Sequence, residues 1–112
     1  MIYTSYFANW RKFPEGFKTL SIALYPPPRF GSVIVELMPT LSLLSRAKAK
    51  EISEAEYILE YNEQLANLSP HKIAQRCESS ILLCYEKAKD FCHRHLVRVW
   101  FNAHKIECEE LK

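Results

Sequence analysis

Residues 81–85 read Ile-Leu-Leu-Cys-Tyr, an unbroken apolar run that stops at Glu86. A strand with one wet face alternates apolar and polar residues; a run without alternation fits a strand covered on both faces. Such strands belong to parallel sheets sandwiched between helices, so this segment fixes the fold class before any other is read.

The rest of the chain is consistent with that frame. Residues 2–7 are β-branched and aromatic, the pattern of a first strand. Residues 9–16 read as a loop carrying Trp10, Arg11 and Pro14. Residues 20–25 form a second apolar run, ended by Pro26, Pro27 and Pro28. Three fixed φ angles and three missing donors take the chain out of the sheet in extended form, placed to wall a ligand site. A helix is expected within 37–50, after Pro39, with Leu41, Leu44 and Ala47 or Lys48 along one side. The next helix is marked by a capping box, Ser53 with Glu56, followed by Tyr57, Ile58, Tyr61, Leu65 and Leu68 at helical spacing. Ser69 and Pro70 open a further short helix with Ile73, Ala74 and Cys77 on its apolar side. Asp90 is expected to cap a helix running to about His104, with Val97, Trp100 and Phe101 inward and His95, Arg98, Asn102 and Lys105 outward. Residues 106–109 alternate, as in a last half-exposed strand. Strands alternating with helices predict one small Rossmann-like α/β domain over 1–112, with roughly three to four mostly parallel strands.

Composition removes several function classes. Fifteen Lys and Arg against 13 Asp and Glu leave a net charge of +2, too even for a protein built to bind phosphate backbones. Aromatic and basic residues do interleave at Trp10, Phe13, Phe17 and Phe30 with Arg11, Lys12, Lys18 and Arg29, but a small domain needs those rings in its core. No apolar run approaches the roughly 20 residues of a membrane span, and the start lacks the pattern of an export signal. The expectation is a cytoplasmic protein whose four cysteines are free thiols, Cys77 and Cys108 in the core. Cys84, Cys92 and His93 lack the paired spacing of structural zinc sites, so neither a metal nor another cofactor is expected. With 2 Gly, no phosphate-cradling loop is present, nor is a nucleophile elbow.

The chemistry concentrates in residues 83–94, between the carboxyl end of the buried strand and the next helix. In open α/β sheets ligands bind at such junctions, where loops diverge and helix N–H groups point into the crevice. With Asp90 as N-cap, Cys92 and His93 take the second and third helical positions and Arg94 follows. That predicts an anion site, suited to a phosphate or carboxylate. A thiol at a helix amino terminus beside His93 and Arg94 has a lowered pKa, which makes Cys92 a candidate nucleophile. Glu86 is a candidate base, and a group able to orient His93 or neutralise Arg94. Cys84, with Ser5 and Tyr6 from the first strand and Asn9 from the loop after it, completes the candidate ligand-binding set. A plainer reading pairs Glu86 with Arg94 as a buried ion pair and leaves Cys92 as a space-filling residue.

The segment Leu82-Leu83-Cys84-Tyr85-Glu86 followed by Cys92-His93-Arg94 resembles the family called domain of unknown function 488, which carries L-L-C-x-E and then C-H-R. Residues 3–9, Tyr-Thr-Ser-Tyr-Phe-Ala-Asn, are similar to the opening of its shorter members. Leu37-Met38-Pro39, then Leu43-Leu44, then Tyr57 and Tyr61 before Leu65, are similar to their middle. Longer members carry Asp-x-Arg after the second strand; here that place holds Ala23-Leu24-Tyr25-Pro26. The resemblance implies an α/β fold of bacterial and phage proteins and brings no established activity. Two function classes follow. One is a small enzyme using Cys92 or Glu86 on an anionic, nucleotide- or nucleoside-like ligand. The other is a non-catalytic module that senses a ligand or docks on a protein, for example in phage or defence biology.

Overall fold

The computed structural model describes residues 1–87 and 91–111. Among these, strands β1 (Ile2–Tyr6), β2 (Lys18–Ser21), β3 (Ser80–Cys84) and β4 (Cys108–Glu110) form one all-parallel sheet in the order β2-β3-β1-β4. Every residue of β3 is buried, as its uninterrupted apolar sequence requires. The register sets Tyr6 beside Cys84 and Thr4 beside Glu110. β1 and β3 therefore end together, on the edge where the crevice of a parallel sheet lies.

Four helices follow from local chemistry. Thr40 caps α1 (Leu41–Lys48) by accepting from the Leu43 N–H at 3.0 Å. The Ser53–Glu56 capping box opens α2 (Glu54–Ala66) with both reciprocal bonds in place. Ser69 caps α3 (Pro70–Arg76), with proline at its first position. α4 (His93–Ala103) packs on β1, β3 and β4 and against α2 and α3. The core gathers Val97 and Phe101 of α4, Tyr61 and Leu65 of α2, and Ile81, Leu82 and Leu83 of β3. No helix of the described residues is long and apolar enough to cross a membrane.

The structure shifts several boundaries. Residues 7–12, which span the end of the expected first strand and the start of the loop expected at 9–16, make a 3-10 helix. The second strand begins earlier than its apolar run, because Lys18 and Thr19 pair with Ser80 and Ile81 while Ile22 and Ala23 are buried beyond the strand's end. In α1 the buried residue is Leu43; Leu41 is 57% exposed, and Leu44 and Ala47 face a cleft. Asp90 lies outside the described residues, and the N-cap of α4 is Cys92. His93 and Arg94 thus occupy the first two helical positions. His95 and Arg98 are half-buried rather than on the water side. Asn102, although exposed, holds Cys108 through both its amide groups.

Candidate functional site at the end of the third strand

Arg94 begins on the second position of α4 and runs back under the sheet's edge. Its guanidinium is fully buried: Nε and Nη2 donate to the Glu110 carboxylate at 3.0–3.3 Å, and Nη1 donates to the Glu86 carbonyl at 2.6 Å. Nη1 also reaches Cys84 Sγ at 2.9 Å, and the Tyr6 ring lies 5.8 Å from the guanidinium carbon. Thr4 donates to the same carboxylate at 2.5 Å. A planar fork meeting a carboxylate with two parallel bonds is the strongest arrangement open to arginine. Glu110, not the Glu86 side chain, neutralises this charge. The Glu86 side chain is exposed at the rim of a cleft.

His93 is oriented by the backbone beyond β2. Its Nε2 lies 2.7 Å from the Ile22 carbonyl, which can only accept, so Nε2 carries the proton of the neutral ring. Nδ1 is left with a free lone pair, 3.7 Å from Cys92 Sγ. Burial pushes the imidazole down to about 4, and the neighbouring Arg94 charge acts in the same direction. The ring is therefore neutral at physiological pH.

Cys84 and Cys92 are paired as a disulfide, their Cα atoms 7.5 Å apart. This corrects the expectation of four free thiols. The fold brings the end of β3 onto the start of α4, so two cysteines eight positions apart in sequence meet in space. Cys77 and Cys108 are free and buried, as core thiols should be, and burial raises both. One ligand atom from each of Cys84, Cys92 and His93 lies within 4.8 Å of the others.

Cys92, His93 and Glu86 share a cleft of about 500 Å³ whose walls include Ala23 and Tyr25 after β2, Ala47 of α1 and Tyr57 of α2. The three prolines are absent from this wall, and the residues just before them form it. Phe91 meets Tyr57 edge-to-face at 5.3 Å, so the interior is aromatic on one side. Charged lining residues are Lys48, Glu54 and Glu86. Ser5 and Asn9 do not join this group. The pleat turns Ser5 to the sheet face opposite Thr4 and Tyr6, where Asn9 donates to it at 3.1 Å.

The profile of the Active DUF488-N3 subclade matches residues 8–105. The chain belongs to the DUF488 family. The residues that first suggested it, Cys84 and Glu86 with Cys92, His93 and Arg94, are the ones the fold collects at the end of β3. The match starts after β1 and stops before β4, so Thr4 and Glu110, which complete the Arg94 network, lie outside it. No curated protein and no solved structure matches this DUF488 chain.

Three contributors escaped the reading of the sequence. Glu110 fell one residue beyond the alternating stretch at 106–109. The Ile22 carbonyl carries no side-chain signal at all. Tyr57 stands in the sequence as one of several residues at helical spacing, and its ring serves both the core and the cleft.

Proposed function

We propose that this DUF488 protein is a small cytoplasmic enzyme that holds a nucleotide- or nucleoside-like molecule in the cleft beside Cys92, His93 and Glu86. The observation that carries this reading is the shared wall. A neutral imidazole, a cysteine sulfur and a rim carboxylate open onto one aromatic-lined space of about 500 Å³, within the usual size of small-ligand sites. The matched subclade is described as active, which supports catalysis over passive binding.

Charge favours the nucleoside part of such a ligand over a chain of phosphates. Arg94 is engaged by Glu110, and Lys48 is opposed by Glu54 and Glu86 along the cleft. A negative group on the ligand finds the amino end of α4, a partial positive charge worth up to about 1 kcal/mol. A ring system finds Tyr57 and Phe91. Glu86, the exposed carboxylate of the set, is the acid–base group, and Cys92 presents sulfur at the same corner. In a reducing cytoplasm the Cys84–Cys92 disulfide opens to two thiols, which frees the Cys92 sulfur for this role.

Titration of reduced protein with a panel of nucleosides and their monophosphates, followed by amide chemical shifts, tests the reading. Shifts should centre on Tyr57, Phe91, Cys92 and His93. Ala47→Trp, which fills the cleft from α1, should abolish them, whereas Glu86→Gln should retain binding and stop turnover. Equal binding to the Ala47→Trp protein, or no binding by any member of the panel, overturns it.

A further inference from the structure

We propose that Cys84, Cys92 and His93 form a three-ligand site for a borderline-soft divalent cation, zinc by its ligand chemistry, with its fourth position open to the cleft. This rests on the reading of the cleft as a reaction site and gives Cys92 a specific role in it, as a metal ligand instead of a covalent nucleophile.

The donor atoms are already gathered. Cys84 Sγ, Cys92 Sγ and the His93 ring nitrogen lie within 4.8 Å of one another, and all three residues are buried. Two thiolates and one imidazole make a donor set that zinc takes in sites keeping a fourth position for water or substrate.

His93 supplies an independent observation. Its Nε2–H is tied to the Ile22 carbonyl, so Nδ1, on the sulfur side, is the nitrogen free to ligate. Ligating histidines characteristically donate their other N–H to a carbonyl or carboxylate in this way. Backbone spacing agrees. The Cys84 and Cys92 Cα atoms stand 7.5 Å apart, wider than the roughly 4.4–6.8 Å usual between bridged cysteines. In a tetrahedral site with metal–sulfur bonds of about 2.3 Å, two thiolates stand about 3.7 Å apart, a distance this spacing accommodates.

The charges also balance. Two thiolates and a divalent cation sum to zero, and the adjacent Arg94 is neutralised by Glu110. Arg94 Nη1 donates to Cys84 Sγ at 2.9 Å, a bond that favours thiolate at the innermost ligand. Cys92 and His93 line the cleft, while Cys84 does not, so the unfilled position faces the ligand space beside Glu86. Loading starts from the dithiol. Two molecules of a thiol reductant convert the disulfide to two thiols and leave as their own disulfide, and the cation then displaces both cysteine protons.

The test uses full-length protein reduced with excess thiol, stripped of metal, and titrated with zinc or cobalt(II) alone. One cation per chain is expected, and the cobalt form should show ligand-field bands of tetrahedral thiolate coordination. His93→Gln and Cys92→Ser should each lose stoichiometric binding, and Cys77→Ser should keep it. Cys84→Ala removes a fully buried group, so the His93 variant carries the test if that protein does not fold. Absence of thiolate–cobalt bands in folded, reduced wild type overturns the site, as does full binding by His93→Gln. Nucleoside binding to protein that takes no metal would sink the metal and spare the cleft; metal without any nucleoside binding would do the reverse.

Discussion

The Arg94 guanidinium is closed off from solvent, and its donors meet Glu110, the Glu86 carbonyl and Cys84. In sequence the acid near enough to neutralise this arginine is Glu86; the structure gives that place to Glu110, which comes near only after β4 pairs with β1. Glu110→Gln strands a buried positive charge and should cost about 3 kcal/mol or more of stability, read as a lower denaturation midpoint. A loss under about 0.5 kcal/mol would mean that the pair does not hold the end of β3 to α4. The core thiols give a second prediction. Burial raises Cys77 from 9.0 to about 11 and Cys108 from 9.0 to about 12. The unfolded chain therefore releases these protons first, so this stability is full below about pH 9 and declines as pH rises through 11 and beyond. Denaturation of wild type and Cys77→Val across that window should show a shallower alkaline decline in the variant. Parallel curves would contradict the assignment.

Helices were most legible where their termini carry chemistry. Ser53 with Glu56, and Ser69 with Pro70, announce α2 and α3 at the residues where they begin. α4 begins at His93, two residues later than a helix capped by Asp90 would, because no side chain marks Cys92 as a cap. That shift changes the chemistry, since it puts Cys92 at the helix threshold, next to Cys84 and the cleft. β2 was displaced for a related reason: Lys18 and Thr19 are polar members of a short edge strand, and burial continues through Ile22 and Ala23 after pairing with β3 stops. Ser53→Ala removes one half of the α2 capping box and should cost about 1 kcal/mol. Because Ser53 and Tyr57 both line the cleft, the same variant should also weaken cleft binding, through the lost hydroxyl and the fraying of that end of the helix. Stability unchanged within about 0.3 kcal/mol would show that packing of Tyr61 and Leu65, not the cap, sets this helix.

The whole molecule is a parallel sheet whose two innermost strands, β3 and β1, end side by side, with α4 starting where they stop. One apolar run makes the parallel α/β class readable from sequence, and the Cys-His-Arg triplet marks the junction after β3 as the candidate site, whereas the strand order is not legible there. What stayed hidden was tertiary: a carbonyl that sets a histidine tautomer, a carboxylate from the last strand, and an aromatic wall from two helices away. Native mass spectrometry of freshly purified, thiol-reduced protein incubated with the nucleoside and nucleotide panel decides whether the cleft holds and converts such a ligand. Wild type should give a bound adduct or a converted product, and Ala47→Trp neither. Bare polypeptide and unchanged panel for both proteins would contradict the proposed function.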